Sequence, residues 1–173
     1  MRQSCIGLAL LCFLILCPTA VSEASSMRGI EEIGLRVSIR IEDAEAVERL
    51  DETYLRNLIN WQLDQYQIKV SPRNPGVPFL SVRIRVERVL GPARLSDEEG
   101  RNIEGVFQST VAVEFRQQVV SKDNPGYEFW APTYSRSDTK SEESREALQH
   151  ALIRSLERNL IGFINQFRRA NPR

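Results

Sequence analysis

Four segments of the chain alternate apolar and polar residues with a period of two, which is typical of β-strands buried on one face. In residues 33–41, for example, Leu35, Val37 and Ile39 alternate with polar side chains. The other three segments are residues 79–89, residues 107–116, and the residues from Tyr127 to about Arg136. Because none of the four is a continuous apolar run, we expect only one face of the sheet to be buried.

Two other segments follow helical spacing. The first lies between the first two strands, where apolar residues recur three and four positions apart and Asp51 is placed to cap the first turn. The second is C-terminal, with the same spacing from Leu148 to Phe167. We expect its cap near Thr139 or Ser141 and its end at Asn171-Pro172.

The resulting order, β-α-β-β-β-α, predicts an α+β fold: a two-layer sandwich in which two helices cover one face of a four-stranded mixed sheet. The β-α-β unit should make the first two strands parallel through a right-handed crossover, and the later strands should pair antiparallel. Pro132 lies in the fourth strand. Since proline cannot donate a ladder hydrogen bond, this strand is predicted to lie at an edge or to carry a bulge.

Residues 1–24 have the features of a secretory signal peptide, and residues 25–173 are then expected to form a single domain. Arg2 precedes an apolar run, Ile6 to Leu16, that is too short for a lasting membrane anchor. All three cysteines lie in this segment, and Leu precedes both Cys12 and Cys17, where a lipoprotein signal needs a small residue. An exported chain with neither disulfides nor a glycosylation sequon indicates a bacterial periplasm.

The sequence offers little for catalysis. His150 is the only histidine and lies within the final helix, between Leu148 and Leu152. A nucleophile–histidine pair or a multi-histidine metal site is therefore not expected. The acidic group Asp97-Glu98-Glu99 with Glu104 lacks the spacing of a calcium loop and is interpreted as a solvated loop. We therefore expect no enzymatic activity, no metal site and no cofactor.

The polar face of the sheet is the first candidate site. Alternation assigns five arginines to it: Arg36, Arg40, Arg83, Arg85 and Arg116. Guanidinium groups bind phosphate or carboxylate with two parallel hydrogen bonds, so this face is predicted to bind an anion or a partner. Glu87 and Glu114 share the face, and a solvated surface of internal ion pairs is the alternative.

Strand four supplies the second candidate. If Phe129 and Ala131 face the core, Trp130 and Tyr134 project outward as an aromatic contact pair. The reverse register buries Trp130, and the sequence leaves both registers open. Trp61, at the edge of the first helix's apolar stripe, is expected to be a partly buried packing residue.

Formal net charge is zero, which removes the usual electrostatic argument for nucleic acid or an anionic membrane as an obligatory partner. The charge is uneven, however: acids dominate residues 31–52 and arginines dominate residues 154–173. The basic tail either complements the dipole of the last helix or docks to an acidic partner or anionic lipid.

Four segments of the chain resemble a family of small exported bacterial proteins of unknown function: residues 34–41, 80–84, 110–117 and 164–172. The architecture is also similar to that of the lipoprotein subunit of the outer-membrane lipopolysaccharide translocon, which implies fold and compartment only. The sequence thus predicts a non-enzymatic binding or accessory protein that contacts an envelope protein or lipid head group through the polar sheet face and strand four. The alternative is a small-ligand or lipid binder with a pocket between helices and sheet.

Overall fold

The computed structural model describes residues 26–42, 51–71, 76–90 and 106–172. Predictions about the signal peptide, the domain start and the acidic group at Asp97 lie outside these residues. Within them the chain forms, in order, β1 (Glu32–Ile41), α1 (Glu52–Gln65), β2 (Lys69–Val70), β3 (Phe79–Leu90), β4 (Val106–Val120), β5 (Glu128–Glu142) and α2 (Arg145–Ala170).

The structure confirms an α+β fold with a mixed sheet, but among the described residues the sheet has five strands and not four, in the order β2-β1-β3-β4-β5. The parallel pairing of β1 with β3 and the antiparallel pairing of β3, β4 and β5 agree with the prediction. The additional strand is β2, which pairs with Glu32 and Ile33 of β1. Two residues are too few to produce an alternating pattern, so the sequence did not indicate it.

One hydrophobic core lies between the sheet and both helices. It receives Leu55, Ile59 and Leu63 from α1, and the apolar residues of β3 and β4 that the alternation assigned to the buried face. Phe163 of α2 packs against Phe115 of β4 with ring centroids 5.3 Å apart. Both helices therefore cover the same face of the sheet, as predicted.

The structure confirms two of the three helix ends that the sequence predicted and corrects the third. The side chain of Asp51 accepts a hydrogen bond from Tyr54 N at the start of α1, and Asn171 ends α2. The cap of α2 is Ser144, which corrects the predicted Thr139 or Ser141. The reason is that β5 continues to Glu142, which still pairs with Phe107 of β4.

Strand β5 is an edge strand and also contains a bulge, so both structural options for Pro132 occur together. Phe115 of β4 pairs with Tyr134, whereas the next residue, Arg116, pairs with Pro132. Thr133 is the extra residue. One extra residue reverses the alternation of side chains along a strand. Even-numbered side chains before and after Thr133 therefore point to opposite faces of the sheet.

Gly162 allows α2 to approach β5 closely. The hydroxyl of Tyr134 in β5 donates a hydrogen bond of 3.1 Å to the carbonyl oxygen of Asn159, which lies about one turn before Gly162 in α2. A Cβ at position 162 would lie 2.8 Å from that hydroxyl oxygen and 2.7 Å from Nη1 of Arg136. A side chain at this position must therefore displace the buried tyrosine.

We expect Gly162→Ala to lower the free energy of unfolding by about 1–3 kcal/mol, because overpacking outweighs the gain in helix propensity. Urea denaturation checks this. Asn165→Ala, at an exposed position of the same helix, serves as the control and should change stability by less than about 0.5 kcal/mol. A Gly162→Ala variant more stable than the parent would contradict the close approach.

Asp138 links β5 to α2. Its carboxylate accepts hydrogen bonds from Ser155 Oγ at 2.8 Å and from Arg158 Nη1 at 3.2 Å. The Ser155 hydrogen bond is the largest influence on the pKa of Asp138 and lowers it. Burial, the next largest, opposes this effect, and the charges of Lys140, Arg158 and Arg136 add to the lowering, so the pKa lies below its ordinary value.

Because this pKa is lowered in the folded protein, the ionised carboxylate contributes stability that is present above the unfolded pKa and is lost as the pH falls through the folded pKa. Asp138→Asn should therefore lose stability at neutral pH and little in strong acid. Urea denaturation from about pH 6 down to about pH 2 should show a weaker acid dependence in the variant than in the parent. Identical pH profiles would contradict this role.

Candidate partner-binding face

The side of the sheet turned away from α1 and α2, here called the open face, carries the arginines that the sequence assigned to it. Val37, Val82 and Val113 point into the core, so their strand neighbours point to the open face. Arg36, Arg40, Arg83 and Arg85 are exposed there, and Arg116 is partly buried. The predicted placement of all five arginines on one face is confirmed.

Glu114 lies at the centre of the open face and binds two of these arginines. Its side chain is only 12% exposed. Oε2 accepts from Nε of Arg116 at 3.0 Å and from Nη2 at 2.8 Å, while Oε1 accepts from Arg83. Two nitrogens of Arg116 thus donate to a single oxygen of Glu114, and an external anion would have to compete for them.

A second acidic pair occupies the other end of the face. Nη2 of Arg85 lies 2.7 Å from Glu87 and 3.1 Å from Glu42, and Arg40 lies 3.4 Å from Glu42. Four of the five predicted arginines therefore contact carboxylates of the same face. The open face is a mosaic of alternating charges and not a uniformly positive surface.

The fifth arginine belongs to a row of stacked side chains. The guanidinium carbon of Arg36 lies 3.8 Å from the ring centroid of Phe79, and this ring lies 5.1 Å from that of Trp130. Trp130 pairs with Gln118 of β4, and Phe79 pairs with Arg116. The row, called here the Arg36–Phe79–Trp130 stack, spans from β1 to β5 across the open face.

Tyr134 lies on the opposite side of the sheet from Trp130. It is 6% exposed, and its hydroxyl is bound to the backbone of α2. Because Thr133 adds one residue between the two positions, they cannot project together as the aromatic pair considered from the sequence. Trp130 therefore remains in the candidate site, and Tyr134 is a core residue.

The sequence did not identify the exposed apolar residues around the β4–β5 turn. Tyr127 and Phe129 are 59% and 42% exposed, and their ring centroids are 5.8 Å apart. Pairing between β3 and β4 stops at Phe79 and Arg116, so the hairpin continues beyond β3. The signal for this patch in the sequence is the pair of aromatics, Tyr127 and Phe129, that follows the turn Asn124-Pro125-Gly126.

Two further residues lie on the helix surfaces. Trp61 is 59% exposed, which corrects the expectation of partial burial. It stands two residues from both Ile59 and Leu63, a rotation of about 200° from the buried stripe of α1. His150 has a side chain that is 70% exposed and lies 4.0 Å from Glu146, as expected for a helix-surface residue.

Among the described residues, no group of three or more histidine, cysteine or acidic side chains is arranged to hold a metal ion. The helices in the same part of the chain are too short or too polar to cross a membrane. Side chains of the open face take part in ion pairs, hydrogen bonds and aromatic contacts.

Neither protein-family models nor curated proteins match the chain. Among solved structures, it is similar to rare lipoprotein B from Shewanella oneidensis, with 18% identity, a TM-score of 0.36, and coverage of 75% of this chain and 93% of that one. A minor lipoprotein from Acinetobacter baumannii has 13% identity, a TM-score of 0.34, and coverage of 76% and 90%. A neuraminyllactose-binding hemagglutinin homologue from Helicobacter pylori has 12% identity, a TM-score of 0.32, and coverage of 80% and 89%.

Two of the three matches are lipoproteins, the class of protein that the fold-level resemblance in the sequence names, and all three matches have TM-scores below 0.5. They show nothing about a binding surface or an activity. We therefore base the functional argument on the contacts within this chain.

Glu114→Gln leaves Arg83 and Arg116 without their shared carboxylate, so it should lower the free energy of unfolding by about 1–2 kcal/mol. This cost lies between those measured for breaking exposed ion pairs and fully buried ion pairs. Chemical denaturation measures this. Glu87→Gln removes a carboxylate that, among the described residues, pairs with Arg85, and it should cost less than about 1 kcal/mol. Equal effects of the two substitutions would show that Glu114 does not organise the face.

Proposed function

We propose that the chain is a non-enzymatic accessory protein of the bacterial envelope, and that it binds a partner protein through the open face. The observation that carries the proposal is the exposure of this charge mosaic next to the Arg36–Phe79–Trp130 stack. The signal-like residues 1–24 support the compartment. The lipoprotein names of the structural matches are compatible with it.

The pairing of the arginines favours a protein over a lipid head group. Arg83, Arg85 and Arg116 already contact carboxylates, so a phosphate would have to compete with Glu114, Glu42 or Glu87. A protein surface can instead match fixed positive and negative groups at the same time, which gives specificity and orientation. The mosaic is thus suited to a partner with a complementary arrangement of charges.

The stack supplies the contact energy that a charge mosaic lacks. Arginine and tryptophan are the residue types that most often dominate binding at protein interfaces. Arg36 is exposed and Trp130 is partly exposed, and both contact the ring of Phe79, which is itself 6% exposed. The buried ring therefore holds two contact residues in fixed positions before a partner arrives, which lowers the entropy cost of binding.

The alternative of a ligand pocket between helices and sheet gains no support from the described core. Phe107, Phe115 and Phe163 are fully buried there, and Phe115 and Phe163 are in ring contact. Side chains of the core cluster occupy the space in which such a ligand would lie.

Site-specific photo-crosslinking in intact envelopes tests the proposal. A photoreactive residue at Ser137, which is exposed on the open face, should cross-link one defined protein, to be identified by mass spectrometry. The same residue at Arg154, exposed on α2, is the matched control and should not capture that protein. Cross-linking from Arg154 alone, or to lipid alone, would overturn the assignment of the open face.

Arg36→Gln combined with Trp130→Ala should weaken binding of the identified partner about tenfold or more, since interface hot-spot residues carry most of the binding energy. Calorimetric titration of the purified pair measures the dissociation constant. A melting curve of the variant establishes that it is folded. An unchanged dissociation constant in the folded variant would exclude the stack as the contact site.

A further inference from the structure

A second surface feature lies away from the open face. A cleft with a volume of about 1380 Å³ is bounded by the C-terminal ends of α1 and α2 and by residues 28–31. Its volume is above the range of about 300–1,000 Å³ common for small-molecule sites, and it is open to solvent on one side. The arginine-rich segment 154–173 contributes Arg168 and Arg169 to its lining, whereas the arginines of the open face do not line it.

Asn171 fixes the two chain segments that form one wall of the cleft. Its Oδ1 accepts from the backbone N–H of Gly29 at 2.7 Å, and its Nδ2 donates to the carbonyl oxygen of Met27 at 2.8 Å. Met27 itself is fully buried in the core. These hydrogen bonds therefore attach the segment before β1 to the end of α2, and this wall of the cleft has a defined structure.

The lining of the cleft is strongly positive. Arg28, Lys69, Arg168 and Arg169 contribute four cations, whereas Glu31 is the one acidic residue among the lining residues. In the part of the chain that the structure describes, none of these four cations lies within ion-pair distance of a carboxylate. This is the reverse of the open face, where four arginines are bound to acids of the same surface.

Only some of these four cations can be explained as residues that complement the dipole of α2. Arg168 and Arg169 lie in its last turn, where cations are favourable. Arg28 precedes β1 and Lys69 belongs to β2, so the cleft gathers cations from three separate elements. Gathering unpaired like charges costs free energy unless an anion neutralises them.

The floor of the cleft is less polar than its rim. Ile68 and Phe167 line it and are 4% and 5% exposed, and the guanidinium carbon of Arg168 lies 5.7 Å from the ring centroid of Tyr66. Guanidinium groups bind phosphate oxygens with paired hydrogen bonds, and lysine adds a compact charge. We propose that this cleft, here called the basic cleft, is a binding site for a phosphate-bearing anion.

The test compares two double variants that lose the same charge. Lys69→Gln/Arg169→Gln removes two cations of the basic cleft, and Lys122→Gln/Arg154→Gln removes two exposed cations elsewhere. Calorimetric titration at low salt uses inorganic pyrophosphate as the soluble probe. Flotation with phosphatidylglycerol vesicles, against phosphatidylcholine vesicles, tests a lipid head group as the source of the phosphate.

The expected result is a dissociation constant about tenfold or more higher for the cleft variant only, because each charged hydrogen bond contributes at least this order of affinity. If only the cleft variant binds pyrophosphate more weakly, the ligand is a soluble phosphate compound. If this difference is seen with phosphatidylglycerol vesicles and not with pyrophosphate, the ligand is a lipid head group. Absence of binding to both probes, or equal affinities of the two double variants, would overturn the proposal. All variants change exposed side chains, so melting temperatures should remain close to that of the parent.

Discussion

Contact between α2 and the last two strands of the sheet is the interaction on which the rest of the structure depends. Phe163 packs against Phe115 of β4, Tyr134 of β5 and Phe167 of its own helix. Gly162 permits the short distance at which the Tyr134 hydroxyl reaches the helix backbone. Together with α1, this contact covers one side of the sheet, and the opposite side is the open face.

Much of the fold could be predicted from the sequence because alternation and helical spacing are local signals of burial. The strands β1, β3 and β4 and both helices follow from these signals, as do the Asp51 cap and the face occupied by the arginines. The strand β2 could not be predicted, because a two-residue strand is defined by its neighbour β1 and not by its own pattern. The same holds for the last residues of β5, which are polar and are held by pairing with β4.

The candidate site was harder to predict, since its properties depend on contacts between strands. The sequence placed Arg83 and Arg116 on one face, but only the register shows that Glu114 lies between them and binds both. Likewise, Pro132 indicated a bulge without showing that Trp130 and Tyr134 would be separated by it. Charge alone therefore does not identify an anion site in this protein. The pairing state of each charge distinguishes the open face from the basic cleft.

The hydrogen bonds of Asn171 have a consequence for the order in which the protein folds. Gly29 and Asn171 are separated by 142 positions along the chain. Such a contact has a high loop-closure cost and forms only when the sheet and α2 have brought both segments together. During synthesis, Met27 is made 144 positions before Asn171, so its carbonyl acquires this partner only after the whole intervening segment has been made. We therefore expect the wall of the basic cleft to form late in folding, after the sheet and α2 are in place.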